Sequence, residues 1–402
     1  MVACSGDDNG APTTTQPAVP STTSPARTDD GVLVLGVLLP TTGPGATLFG
    51  EGMIQAVQLA QEEINDAGGV NGFDVELVRA DEGATAASAA IGFDSLITDG
   101  VDAIVGPASS NVALSDLDAP VAAGIVTCSP TATALSLDEY PDNGLFFRTV
   151  PSDSLQMVAL ANIAERTGST TIAIGYLDDS YGRGLAEALG SAVEARGLST
   201  LAEVAFSGDD DQLADEAADL LERSPGVIAI LGDADGGTRL LDAVAQASTG
   251  DDPPTIVVND ALRDAQSQQV IQGLRSEVRQ LIRGVAPLAV TPNSLELNEL
   301  FAANAYDCVN LIALAAIQAT SVSSTSIAVQ MASASAGGSE CRSFADCSDR
   351  LARGLQIDYD GPSGNTELSA RTGDPSRARF EEFRFDAAGR EESVGTFEIT
   401  SE

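Results

Sequence analysis

The chain has no histidine and no lysine among its 402 residues. A Ser–His–Asp triad, the Walker lysine of a phosphate-binding loop and a pyridoxal Schiff base cannot be built without them, so several large enzyme classes are excluded. No enzymatic activity, cofactor or metal centre is expected. Positive charge is scarce as well: 20 basic against 59 acidic residues leave a formal net charge of −39. That removes the basic footprint a nucleic-acid binder needs, so no such partner is expected. An acidic excess of this kind bears on solubility and association, not on fold. Aromatics make up only 4% against 43% apolar residues, so the core must be built mostly from Ala, Val, Leu and Ile. No stretch approaches the roughly 18 uninterrupted apolar residues of a membrane-spanning helix.

Length predicts roughly two or three domains. Residues 1–30 hold Pro, Thr, Ser, Gly and Asp with almost no large apolar side chain. Such a segment cannot repay the entropy of ordering and is expected to be a tether. Ahead of it stands Met1-Val2-Ala3-Cys4-Ser5-Gly6, which resembles the end of a bacterial lipoprotein signal with Cys4 as the lipidated residue. A free cysteine in a tail is the alternative. In an exported chain, Cys341 and Cys347 in "CRSFADC" read as a local disulfide, because the further ligands of a zinc site are not nearby. Cys128 and Cys308 lie in apolar runs and read as small core residues rather than as a redox pair, and the sequence does not decide whether they are joined.

From Gly31 short β-rich runs alternate with helical stretches, the pattern of parallel sheets with crossover helices. "VLVLGVLL", "DVELVRA", "AIVG", "GIVT" and "LFFRTV" form a first series; "TIAIGYL", "STLAEVAF", "GVIAILG" and "TIVVND" form a second. Two series of similar size imply two similar lobes, with a boundary at Thr149-Val150-Pro151-Ser152-Asp153, where a strand meets Pro and a helix cap. "LFAANAYDCVNLIALAAIQAT" is too apolar for an exposed linker and should pack back on the first lobe. The closing segment alternates with period two and reads as late strands.

Two strands of the first series end in small hydroxyls. Ser109 and Ser110 follow "AIVGPA", and Thr131 and Thr133 follow "GIVTCSP". In parallel α/β sheets ligands bind beyond the carboxyl ends of the strands, where hydroxyls and helix-terminal amides suit a carboxylate. The same residues are also ordinary helix caps. Gly43-Pro44-Gly45 lacks the last glycine of a dinucleotide fingerprint and reads as a turn, and the pairs at Asp178-Asp179 and Asp209 to Asp211 read as solvated turn formers.

At "GVLLPTTGPGATLFGEGMIQAVQLAQEEINDAGGVNG", "AIVGPASSNVA", "CSPTATA", "FFRTV", "YLDDSYGRGLAEAL" and "IDYDGPSGNTEL", the chain resembles the type I periplasmic binding proteins, within the branched-chain amino acid-binding group of ABC importers. The resemblance spans Val32 to Ile399. It implies an α/β fold of two Rossmann-like parallel-sheet lobes joined by three crossings. Residues 31–150 with 284–354 would form lobe 1, and 151–283 with 355–402 lobe 2. By the same resemblance Ser110 and Thr133 would hold a ligand carboxylate beside an amide near Thr131. Phe49 would be an aromatic wall, Tyr181 a contact from the second lobe, and Asp260 the partner of an ammonium. Where relatives place an aromatic, "DADGG" brings Asp233 and Asp235, which puts an apolar side-chain pocket in doubt. The stretch between Val285 and Tyr306 is also shorter than usual. The implied function is a lipid-anchored, monomeric receptor that hands an amino acid or similar zwitterion to ABC permease subunits. A sensory module of the same fold is the alternative.

Overall fold

The computed structural model describes residues 29–43, 45–208, 210, 212–250, 253–263, 265–288, 297, 299–364 and 367–400. Cys4, Pro44, Asp209 and Asp211 lie outside them, as does much of the shortened stretch before Tyr306. In chain order the first lobe runs β1 (Val34–Leu39), α1 (Glu51–Asp66), β2 (Glu76–Asp81), α2 (Ala86–Asp99), β3 (Ala103–Val105), α3 (Ser110–Asp116), α4 (Asp118–Ala123), β4 (Val126–Ser129) and β5 (Phe146–Arg148). The second continues with α5 (Asp153–Arg166), β6 (Thr171–Leu177), α6 (Ser180–Glu194), β7 (Ser199–Phe206), α7 (Ala214–Leu221), β8 (Val227–Leu231), α8 (Ala234–Ala247), β9 (Thr255–Val258), α9 (Ala265–Gly273), α10 (Ser276–Arg279) and β10 (Ile282–Pro287). The chain then adds α11 (Ala302–Ala319), α12 (Ser324–Ala334), β11 (Ser339–Cys341), α13 (Phe344–Ala352) and β12 (Ile357–Tyr359) to the first lobe, and β13 (Arg377–Phe385) and β14 (Glu391–Thr400) to the second.

The first sheet has the order β2-β1-β3-β4-β5, all parallel, and the second repeats it as β7-β6-β8-β9-β10 before adding β13 and β14 antiparallel. Periodicity accounts for the packing. In α1, Met53, Ala56, Val57, Ala60 and Ile64 are buried at spacings of three and four, which turns one face onto the sheet. In α11 the buried set runs from Ala302 to Ala316 almost without a break, so this helix lies inside the first core, against α1 and α12. Helix starts carry side-chain caps: Thr85 with Ser88 form a capping box on α2, Ser152 caps α5, and Asp179 and Asp233 cap α6 and α8.

The lobe boundaries differ from those expected in two places. Residues 284–287 belong to β10, paired with β9 and β13, so the second crossing follows Pro287. Residues 355–368 stay with the first lobe, because β12 pairs with β11 and Ile357, Tyr359 and Leu368 sit in that core. A single strand pair and a few apolar anchors decide this, and neither stands out in the local pattern.

Cys341 and Cys347 are joined, as their spacing indicated. Cys128 and Cys308 are joined as well, a pairing that the sequence left open. The reason is topological: β4 and α11 face each other across the core of lobe 1, although the two cysteines are 180 residues apart in sequence. No single helix among the described residues is long and apolar enough to cross a membrane.

Candidate functional site

The carboxyl ends of both sheets face a cleft between the lobes, of about 700 Å³. Its polar end is lined by Thr131 and Thr133 from lobe 1, Asp153 at the start of α5, and Tyr181 and Asp260 from lobe 2. The rest of the lining is mixed: Val150, Pro151, Ala286, Pro287, Leu300 and Phe301 are apolar, while Arg263, Arg377, Arg379 and Glu391 are charged. A wider groove of about 1080 Å³ runs along the flank of lobe 1, but it is lined mostly by small and amide residues and gathers no set of buried polar groups.

Thr133 sits beside the first crossing: its carbonyl accepts from the Asp153 amide at 3.0 Å, and its side chain favours the charged form of the Asp153 carboxyl. Thr131 donates its hydroxyl to the Ala108 carbonyl, and its amide donates to Ser129 Oγ at 3.4 Å. Ser109 and Ser110 are not among the residues lining the cavity. Ser109 Oγ accepts from the Val112 amide at 3.4 Å as the cap of α3, while Ser110 Oγ accepts from the Ala134 amide at 3.3 Å. Their turn is held from behind by Glu82, whose two oxygens accept from the Ala108 and Ser109 amides at 2.7 and 2.8 Å. Phe49 stands behind the wall, its ring edge-on to Phe301 with centroids 6.3 Å apart.

Tyr181 occupies the first turn of α6. A Cβ on the next residue, Gly182, would lie 2.1 Å from the Leu177 carbonyl oxygen, so only glycine lets the helix start this close to β6. Fully buried Asn259 donates to the Gly232 carbonyl at 3.0 Å and to the Tyr181 hydroxyl at 3.4 Å, which fixes the ring toward the cleft. Asp260 follows directly, and the nearby Gln156 side chain, whose Nε2 donates to the Val285 carbonyl at 3.3 Å, favours its charged form. Arg263 is engaged elsewhere, donating to Glu391 at 2.8 Å and Glu381 at 2.7 Å.

Asp153 is the residue that sequence reasoning missed as a site residue, because Ser152-Asp153 after Pro151 reads as a helix cap. Ser152 does cap α5; Asp153 instead lines the cleft, 4% exposed, and its Oδ2 has no hydrogen-bond partner. Burial, followed by the Asp260 charge, pushes its carboxyl well above the usual range against the opposing pull of Thr133. Asp260 is raised by burial too, and Tyr181 well above its ordinary value by burial and then by both acids. Sequence inspection could have marked Asp153 only as an acid at a lobe boundary. Asp233 and Asp235 line a separate shallow pocket, and Ala234 takes the place on the cleft wall.

Two α/β lobes of the same topology, with site residues from both facing one cleft, define a hinged binding protein. The periplasmic binding protein family model matches residues 33–378, and the chain belongs to that family, to its type I, leucine/isoleucine/valine-binding group. A substrate-binding protein of a chemotactic signal transduction system, BasB of Halobacterium salinarum, is 28% identical over 84% of each chain. A leucine-, isoleucine-, valine-, threonine- and alanine-binding protein of Pseudomonas aeruginosa is 34% identical over 43% of this chain and 46% of its own. Among solved structures, a Streptococcus pneumoniae branched-chain amino acid-binding protein in complex with isoleucine superposes with a TM-score of 0.65 at 20% identity, covering 92% of this chain and 99% of that one. A Desulfitobacterium hafniense ABC transporter substrate-binding protein in complex with Leu gives 0.68 at 20%, covering 90% and 99%. At such identity these two speak for the fold.

Proposed function

We propose that the chain captures an amino acid or similar small zwitterion in the interlobe cleft, by hinge closure, for delivery to an ABC permease. One observation carries the reading. Buried Asp153 and half-buried Asp260 line the cleft beside Tyr181, and among the described residues neither is ion-paired, although Arg263, Arg377 and Arg379 line the same cleft. An ammonium is the group that can donate to both acids and relieve their burial, through charge-assisted hydrogen bonds. Thr131 and Thr133 then serve the carboxylate of the same ligand. Cys4 is the proposed lipid anchor, and the monomer the working unit.

Thermal-shift measurements across the amino acids, amides and urea test the proposal, since a ligand that binds the folded state raises the melting temperature by mass action. Absence of any shift with amino acids would overturn it. Mass spectrometry of protein from its native host, showing an unmodified Cys4, would remove the anchor. The match to the chemotaxis protein over 84% of both chains favours a second reading, in which the same capture feeds a sensory partner. Pull-down of a permease or of a receptor by the ligand-loaded chain separates the two.

A further inference from the structure

Lobe 1 reaches lobe 2 at a point beyond the three crossings. The 3₁₀ turn Leu135–Leu137 belongs to lobe 1, where Leu137, Ala132 and Ala134 pack with Phe146 in a small core. Leu135 faces the other way. It is half-buried against the core of lobe 2, which contains Leu185 and Leu189 of α6. A Cβ built on Gly184 of that helix would stand 3.5 Å from Leu135 Cδ1, ordinary van der Waals contact.

The turn that presents Leu135 is held rigidly. Fully buried Arg148 donates to the carbonyls of Ala132 and Ala134, both at 3.1 Å, to Asp138 at 2.5 Å and to Asp374 at 2.6 Å. Ser152 donates to the same Asp138 at 2.7 Å, tying the turn to the first crossing. Thr133, two residues before Leu135, and Tyr181, three residues before Gly184, both line the cleft. Ligand contacts and the lobe-to-lobe contact therefore ride on the same two elements.

We propose that Leu135 seated on α6 is a closing latch, which stabilises the closed arrangement without touching the ligand and so sets affinity through the closure equilibrium. A contact formed in one state only shifts the equilibrium by its own differential free energy. The proposal rests on the binding function above for its effect on affinity, but not for its effect on closure. With L-leucine as probe, Leu135→Ala should weaken binding roughly tenfold, equivalent to about 1.4 kcal/mol. The loss should appear in the dissociation rate, with the ligand-free melting temperature unchanged, and Leu135→Met should restore affinity. Gly184→Phe, a wedge on the facing helix, should weaken binding in the same way. Small-angle scattering of the ligand-free chain should show a larger radius of gyration for Leu135→Ala than for the unaltered protein. Unchanged leucine affinity in Leu135→Ala, or a loss matched by an equal fall in ligand-free stability, would overturn the latch. If leucine does not bind the unaltered protein, the scattering comparison still decides it, with equal radii counting against it.

Discussion

An acid in the first turn of a helix is normally favourable, because it faces the positive end of the helix dipole. Asp153 occupies that position on α5, yet its burial and the nearby Asp260 charge hold its carboxyl protonated above the usual range. The folded chain thus keeps a proton that the unfolded chain releases, so the stability from this group falls as pH rises above the ordinary aspartate range. Asp153→Asn should raise the ligand-free melting temperature near neutral pH while weakening an ammonium ligand roughly ten- to a hundredfold, from about 1.5–3 kcal/mol per hydrogen bond to a charged group. For the unaltered protein, affinity should rise with pH and binding should release protons, which calorimetry in buffers of different ionisation enthalpy reads directly. Glu82 is a second case: burial raises its carboxyl to about 7 despite two backbone amides that favour its charge. Its contribution to stability is present below about pH 4.5 and is lost toward pH 7. Glu82→Gln offers one acceptor where two amides point, and should cost about 1–3 kcal/mol in denaturant unfolding. Tyr181, Asp260, Thr131 and Thr133 were legible as site candidates because motif resemblance places them at strand ends. Asp153 was not, because its use depends on what closes over it.

At the scale of elements, the two disulfides differ in what they constrain. Cys128–Cys308 closes a loop of 180 residues between β4 and α11, and Cys341–Cys347 one of 6. Chain entropy alone predicts about 5 kcal/mol for the long loop and about 2 kcal/mol for the short one. Replacing the first pair by serine should therefore lower the melting temperature more than replacing the second, by calorimetry on both double variants. The short pair could be read from spacing, because six residues keep two thiols within reach in almost any turn. The long pair could not, since nothing local tells β4 that α11 will lie across it.

The whole molecule carries 59 acidic and 20 basic residues, and ion pairs such as Arg183–Asp178, Arg342–Glu340 and Arg353–Asp349 are exposed and singly worth little. Self-repulsion of the remaining charge opposes the compact state, and salt screens it, with a Debye length of about 10 Å at 0.1 M and about 3 Å at 1 M. The melting temperature should accordingly rise by several degrees between low salt and 1 M sodium chloride in the absence of ligand. A flat or falling curve would mean that the surface charges are already balanced by local pairs.

Alternation of β-rich runs with amphipathic helices determined the α/β class and the two similar lobes, because crossover chirality and short connections leave few ways to wind such a pattern. Composition determined what the protein lacks, and local spacing the short disulfide. Tertiary structure alone decided the remainder: that residues 355–368 return to lobe 1, that Cys128 meets Cys308, that Ser109 serves as a cap, and that Asp153 lies in the cleft with Asp260. Each of these depends on segments distant in sequence meeting in space. Periodicity reports only which face of an element is apolar, and says nothing of which distant element will cover it.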